Sequence, residues 1–448
     1  MKALDRLVRE TQAQARIPAL AAAVHRADRP LWTLTVGAEP DAAFRIGSVT
    51  KTFTAVLVMQ ARDEGLLDLD DPIGRHLDVP ALGELTVRRL LSHTSGIQRE
   101  PYGDVWDTLI APDAATLVAD LERAERVLPA ARRFHYSNLG VALLGLTVAR
   151  MRGGTWAEVL ADRVLGPLGL AGTSAVRPAG ATTGYLVDAY SDAAFPEPPL
   201  DFGAVGPAAQ LWSTAADMAK WAAFLADPAT VDPSGAVLAE ATLDEMRWPL
   251  TTTDQAIWSA GFGLGLILVP RGDRVVHVGH DGAMPGFLAG VYGRPRALTG
   301  DLGPAGFGAA VLGASGTALE TVDLPHQLLT AAVEADPAEI VPWTPGEPVP
   351  DAYRSVVGRW WSEGFEQVFG WYGGALRAKG AADPAGKPPA VFRPSADNPD
   401  ILRTVSGREV GELLRLTRDG EGRVVRMHWA TYRLTRDQQT FEGRSFSA

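Results

Sequence analysis

The chain contains no cysteine in its 448 residues. Disulfides, thiolate nucleophiles and Cys-ligated zinc are therefore excluded. Long hydrophobic runs are also missing. The most apolar window, 139–149, is too short to span a bilayer, which takes about 20 apolar residues. Nor is there a surplus of positive charge: 42 Lys and Arg stand against 53 Asp and Glu, a formal net charge of −11. A nucleic-acid partner, which demands a concentrated basic surface to neutralise phosphates, is not expected. The Arg88-Arg89 and Arg132-Arg133 pairs are isolated and read as solvated faces. The N-terminus, Met1-Lys2-Ala3-Leu4-Asp5-Arg6, interleaves charges along an amphipathic helix and lacks the continuous apolar core of a signal peptide. These absences together lead us to expect a cytoplasmic protein with no membrane segment.

What is present is ordinary for a globular enzyme-sized chain. Apolar residues make up 46% and charged residues 21%, which rules out a disordered chain, a collagen and a simple coiled coil. The length supplies two or three domains' worth of chain and ample core. Residues 19–24 and 31–36 are short apolar runs around Asp28-Arg29-Pro30, a hairpin-like pair. From Ser48 to Arg62 there is neither Gly nor Pro. Phe53, Val56, Leu57 and Gln60 share one helical face, and Gly65 supplies a stop, so Ser48 starts a helix.

Residues 66–235 read as mostly helical with long loops, including a capping box at Thr214–Asp217 that opens a helix through Leu225. Strand signals return at 261–269, 275–280, 287–292 and 307–312, before a last helix at 317–334. The expected fold class is α/β in the α+β sense: an antiparallel sheet built from both ends of residues 1–335, flanked by helices, with a helical subdomain beside it. Pro337, Pro342, Pro345, Pro348 and Pro350 mark residues 336–350 as a stiff linker. Beyond it, 356–361, 368–372, 412–416 and 424–429 read as strands, with a hairpin turn at Asp419-Gly420 and Gly422. Residues 351–448 are thus expected to form a small β-barrel or sandwich domain.

Three local patterns carry chemistry. The first is Ser48-Val49-Thr50-Lys51. Positions i and i+3 on a helix face one another at about 5–6 Å, which sets an amine beside a hydroxyl at a helix N-terminus. A serine needs such a base, and a lysine serves if burial and neighbouring positive charge lower its pKa. The second is Phe134-His135-Tyr136-Ser137-Asn138. Tyr136 is a base only if cations depress its pKa, Asn138 offers an amide to a lysine or a substrate carbonyl, and either Ser137 or Asn138 caps the apolar helix that follows. The third is His280-Asp281-Gly282-Ala283-Met284-Pro285-Gly286-Phe287. On a strand, His280 and Gly282 share one face and Asp281 takes the other. His280 there can donate to Tyr136 or to substrate, and the small residues let a substrate backbone approach.

The three patterns in this order resemble the serine β-lactamase and penicillin-binding-protein superfamily. The form is closest to its class C β-lactamase, D-aminopeptidase and esterase branch. Leu90-Leu91-Ser92-His93-Thr94-Ser95-Gly96, Pro167-Leu168-Gly169-Leu170 and Gly261-Phe262-Gly263-Leu264-Gly265 support it, and Pro285-Gly286-Phe287 fixes the register on His280 rather than His277. Residues 353–361 resemble, more faintly, the start of the lipocalin-like barrel that some members carry. The resemblance implies an acyl-enzyme hydrolase that needs no metal or cofactor. Ser48 is then the nucleophile, and Lys51 and Tyr136 share proton transfer. Asn138 positions Lys51 and the substrate. The backbone N–H groups of Ser48 and Ala283 form an oxyanion hole. His280 and Gly282 stand in the family's Lys-Thr-Gly element, with His280 supporting Tyr136 and holding substrate. His93 is structural.

The departure at His280 bears on substrate. In β-lactam-hydrolysing members the Lys of that element helps bind a carboxylate; a histidine largely neutral at pH 7 does so poorly. A small neutral ester or amide is the expected partner, with weak or no β-lactamase activity. A D-amino-acid-directed peptidase or amidase is the alternative, and would need an acidic group such as Asp281 for the substrate's ammonium. A slowly acylated sensor or scaffold is the non-enzymatic alternative. Trp212, Tyr185, Trp106 and Tyr102 are candidates for an acyl pocket or for packing. A homo-oligomer is compatible with the sequence.

Overall fold

Helix formation around the first motif follows from burial rather than amphipathicity. The helix Thr50–Asp63 (α2) has every residue from Thr50 to Ala61 buried, so it is a central helix and not one with a single apolar face. Its polar groups find partners within the core, Gln60 Oε1 excepted: Thr54 donates to the Pro207 carbonyl at 2.7 Å and the Gln60 amide to that of Val237 at 2.7 Å. The computed structural model describes residues 2–254, 256–272, 275–295, 306–337, 342–384, 387–440 and 442.

The chain divides into two compact units, residues 1–338 and 339–448. In the first, the main sheet has eight strands: β1 (Leu20–His25), β2 (Trp32–Val36), β3 (Thr251–Thr252), β4 (Gly261–Phe262), β5 (Ile267–Pro270), β6 (Val276–Met284), β7 (Phe287–Gly293) and β8 (Gly308–Gly313). Their order is β2-β1-β8-β7-β6-β5-β4-β3, and each neighbouring pair is antiparallel. The sheet is indeed closed from both ends of the unit, since β1 pairs with β8 in the register Leu20↔Gly313 to His25↔Gly308. The run expected as one strand over 261–269 is two, because Gly265 turns at φ +76° between them.

Helices cover both faces of this sheet. α1 (Lys2–Gln14) and α5 (Glu320–Ala335) join one apolar cluster with Leu20, Tyr292 and Val311. On the other side, α2, α3 (Asn138–Arg152) and α4 (Ala215–Ala226) share the larger core. Thr214 caps α4 by accepting from the Asp217 N–H at 3.2 Å. The reciprocal half of the expected capping box is replaced, since the Asp217 carboxylate accepts from the Thr173 hydroxyl at 2.8 Å.

Trp221 on α4 is fully buried. It stacks on Phe53 of α2 at 3.8 Å and on Phe224 at 5.1 Å, and its indole N–H donates to Thr52 at 2.8 Å. Trp221→Ala removes the ring and leaves the Thr52 hydroxyl only its bond to the Val49 carbonyl, so it is expected to cost about 3–5 kcal/mol of stability. A denaturant titration reads this as a lower midpoint at unchanged slope.

The second unit is a single eight-stranded meander: β9 (Gly358–Ser362), β10 (Phe365–Tyr372), β11 (Ala375–Gly380), β12 (Ala390–Pro394), β13 (Ile401–Ser406), β14 (Leu413–Arg418), β15 (Val424–Trp429) and β16 (Tyr432–Leu434). Its two edges meet where Trp361 and Thr435 exchange backbone hydrogen bonds of 2.8 and 3.0 Å. The unit is a nearly closed barrel and not a sandwich. Residues 342–350, within the proline-rich stretch, carry no helix or strand. Among the described residues no helix is long and apolar enough to cross a membrane.

Candidate active site

The Ser48 turn is built by two close backbone approaches. Ser48 lies in the 3-10 turn Gly47–Val49 that leads into α2. Gly47 has φ +53°, and a Cβ there would lie 2.6 Å from the Ala283 nitrogen. From the other side, a Cβ on Gly282 would lie 1.9 Å from the Ile46 carbonyl oxygen. Strand β6 therefore runs hard against the turn that carries Ser48. Beyond Gly279, β6 loses its pairing with β5 while it keeps β7, so residues 280–284 present one unpaired edge to that turn.

The geometry of the first motif is as its spacing implied. Lys51 Nζ lies 2.9 Å from Ser48 Oγ and donates to the Ala208 carbonyl at 2.8 Å. Lys51 is 2% exposed, and burial lowers its pKa well below the ordinary lysine value. The Glu100 carboxylate opposes that shift, and the Arg99 guanidinium adds to it.

Tyr136 is the next group around Ser48. Two basic groups approach its ring, Lys51 Nζ at 4.8 Å and the Arg99 guanidinium at 4.9 Å from the centroid. Burial nonetheless dominates and raises its pKa, against the hydrogen bond with Ser48 and the nearby Arg99. Tyr136 is a neutral phenol here. His93 braces it from below at 4.4 Å between ring centroids, and His93 Nδ1 accepts the Ser137 N–H at 3.1 Å.

His280 stands across from Tyr136, with Nε2 3.4 Å from the phenol oxygen. Its Nδ1 lies 2.5 Å from the Asp281 carbonyl oxygen, which can only accept, so Nδ1 carries the proton. Nε2 is then the acceptor and Tyr136 the donor, which reverses the direction expected for this pair. Burial first and Lys51 second depress the His280 pKa to about 3, so the ring is neutral.

Ser137 is the cap of α3, accepting the Gly140 N–H at 3.0 Å, and this leaves the Asn138 side chain free for other work. That side chain does not hydrogen-bond Lys51, as expected of it; it donates to Glu100 Oε1 at 2.7 Å. The reason is that the Asn138 and Leu139 N–H groups both bond to the Arg99 carbonyl, at 2.7 and 3.2 Å, which straps the 98–100 loop over the start of α3. Asn138 Oδ1 and Glu100 Oε2 are buried without hydrogen-bond partners.

Asp281 is not in the cleft. Strand alternation turns it to the opposite face, where it accepts from the Tyr292 hydroxyl at 2.8 Å and burial raises its pKa to about 6. The acidic group of the site is instead Glu100, which no motif singled out. Of the aromatic candidates, Trp212 is buried edge-on to Phe287 at 5.5 Å, Trp106 packs on Phe202 at 5.5 Å, and Tyr102 lies under Arg123 at 3.7 Å. The Tyr185 N–H bonds to the Gly286 carbonyl at 3.2 Å, beside the turn that ends β6. Among the described residues no group of three or more His, Asp or Glu is arranged to hold a metal ion.

Compared with known proteins, residues 4–332 match the family model described as Beta-lactamase. Residues 349–436 match the model of a domain of unknown function, DUF7586. The chain is 28% identical over 276 residues to Beta-lactamase-like protein 2 of Dictyostelium discoideum, a match that takes 56% of this chain and only about half, 49%, of that protein. It is 32% identical over 268 residues to Penicillin-binding protein 4 of Amycolatopsis lactamdurans, covering 56% of this chain and 68% of that one. In fold it is similar to the octameric penicillin-binding protein homologue from Pyrococcus abyssi, with TM-score 0.63, 20% identity, and coverage of 97% of this chain and 99% of that one. It is also similar to the D-amino acid amidase from Ochrobactrum anthropi SV3, with TM-score 0.62, 22% identity, and coverage of 75% and 99%. With a family model matched over most of its length, and Ser48, Lys51, Tyr136 and His280 around one cleft, the chain belongs to the Beta-lactamase family.

Proposed function

We propose that the chain is a serine hydrolase that cleaves small ester or amide substrates through an acyl-enzyme. The observation that carries the reading is the contact between a fully buried lysine of lowered pKa and the Ser48 hydroxyl at 2.9 Å. Lys51 in its neutral form takes the Ser48 proton as Ser48 Oγ attacks the substrate carbonyl carbon. The N–H groups of Ser48 and Ala283 stabilise the oxyanion. Collapse of that intermediate breaks the ester or amide bond, and the proton returns to the leaving group through Lys51 or the neutral Tyr136. Water then repeats the sequence on the acyl-enzyme and frees Ser48. His280, Gly282 and Asn138 line the substrate side of the cleft.

A neutral Lys51 as base sets the pH dependence. Activity is lost as pH falls through the Lys51 pKa, because the protonated amine cannot accept. Arg99 lowers that pKa and Glu100 raises it. The acid limb of kcat/KM is therefore expected to move to higher pH in Arg99→Ala and to lower pH in Glu100→Gln, as read from pH–rate profiles on a neutral ester. Shifts in the opposite directions would remove Lys51 from the role of base.

Glu100 also favours a second reading, in which the acyl group carries an ammonium. Its Oε2 is buried and unpartnered, and a substrate ammonium would satisfy it. Among the structures similar in fold, two are named a D-stereospecific amidohydrolase and a D-amino acid amidase. A neutral His280 provides no cation for a β-lactam carboxylate, so nitrocefin turnover is expected to be weak. The test compares p-nitrophenyl butyrate with D- and L-alanine p-nitroanilide. Glu100→Gln should lower kcat/KM for the aminoacyl substrate by about 10- to 100-fold, the worth of a charged hydrogen bond. Its effect on the butyrate at the pH plateau should stay below about threefold. Equal losses on both would assign Glu100 to Lys51 alone and leave the neutral ester as the substrate.

A further inference from the structure

The barrel of the second unit is packed at one end and open at the other. Inward-facing positions at the packed end are large: Phe369, Leu376, Phe392 and Leu402 are all buried. One step along β10, β11 and β12 toward the other end, the inward positions become small or polar. Phe369 of β10 is followed by Gln367, Leu376 of β11 by Ala378 and Gly380, and Phe392 of β12 by Ala390. Alternation along a strand fixes these positions on the interior face. The consequence is a cavity of about 640 Å³ lined by Ala378, Ala390, Gln367, Trp361, Trp429 and Tyr432, among others. An eight-stranded barrel has just the girth that side chains either fill or leave for one small ligand. A volume in the hundreds of Å³ is that of small-molecule sites.

From this we propose that the barrel holds a second binding site, for a small uncharged aromatic or otherwise flat apolar molecule carrying one hydrogen-bonding group. Trp429 and Tyr432 offer ring surface, and the Gln367 amide, 8% exposed, offers one donor and one acceptor. Charge is a weak selector of the ligand, because three of the four carboxylates that line the rim, all but Glu363, hold cations. Asp383 pairs with Lys387 at 2.6 Å, Glu409 with Arg408 at 3.0 Å, and Glu366 with Arg359 at 3.0 Å. The Trp429 indole N–H is likewise spent on Thr404 at 2.9 Å, so that ring faces the cavity as an apolar wall. Nothing in the catalytic reading uses these residues, and the site stands whether or not Ser48 is a nucleophile.

The test is a fluorescence titration of the full chain with N-phenyl-1-naphthylamine, a neutral aromatic dye that brightens on leaving water. One saturable site of micromolar affinity is expected. Ala378→Phe fills the cavity and should weaken binding by at least about tenfold, some 1.4 kcal/mol. Tyr432→Ser acts at the half-exposed mouth, where folding is not at stake, and should weaken it about threefold. Ser48→Ala should bind the dye as the wild type does. The proposal is overturned if the isotherm does not saturate. It is equally overturned if both barrel variants keep wild-type affinity, or if Ser48→Ala loses the site.

Discussion

Ser48→Ala is expected to lower kcat/KM for p-nitrophenyl butyrate by about 10⁴-fold or more, and Lys51→Met to lower it as far. The double variant should lose no more than either single one. That non-additivity is the informative part. In the proposed chemistry the hydroxyl and the amine 2.9 Å away perform one act, so removing either abolishes it and the second loss finds nothing left to remove. Residual rate over water would then report binding and oxyanion stabilisation by the Ser48 and Ala283 backbone. Lys51→Met keeps the length of the side chain and costs the Ala208 carbonyl its donor, so a modest drop in Tm accompanies the kinetic loss. Wild-type turnover in Ser48→Ala would end the acyl-enzyme reading. A single stoichiometric burst in the wild type, followed by silence, would make the chain a slowly acylated sensor.

How far the site was legible depends on how local each contact is. The Ser48–Lys51 pair follows from a single helical turn, so sequence spacing suffices to predict it. The side to which Asp281 points follows from strand alternation, and its hydrogen bond to Tyr292 on the far face agrees. Pro285-Gly286-Phe287 placed His280, not His277, in the cleft, and His277 in fact faces His326 behind the sheet at 2.8 Å.

Glu100 was illegible for the opposite reason. Its place beside Asn138 depends on the Arg99 carbonyl meeting the N-terminus of α3, a contact between segments about 40 residues apart that leaves no period in the sequence. The direction of the Tyr136–His280 hydrogen bond depends on one backbone carbonyl, that of Asp281, and on burial. In the barrel, Val424–Trp429 was read to the residue because it is rich in β-branched and aromatic side chains. Ala375–Gly380 was missed because its inward positions are Leu376, Ala378 and Gly380, too small and too few to mark a strand. The same small residues that hid the strand open the cavity.

Gly282→Ala is expected to be the most damaging single-atom change outside the proton-transfer set, with kcat falling by about 100-fold or more. The added Cβ would lie 1.9 Å from the Ile46 carbonyl oxygen and 2.9 Å from its carbon, and backbone cannot turn aside as a side chain can. Strand β6 must therefore back away from the Ser48 turn by the better part of an ångström. That movement carries the Ala283 N–H from its place beside Gly47, where the oxyanion is proposed to form. A misplacement of about 1 Å costs roughly 10²-fold in rate. Because β6 also pairs with β7 through Met284↔Phe287, the strain reaches the centre of the sheet and Tm should fall with kcat. Gly47→Ala presses on the same contact from the other side, with its φ of +53° as an added strain. The losses of the two variants should therefore overlap rather than add. Steady-state kinetics on the butyrate ester, paired with thermal melts, measures both. Full activity and an unchanged Tm in Gly282→Ala would mean that the strand edge and the nucleophile turn are not held in contact.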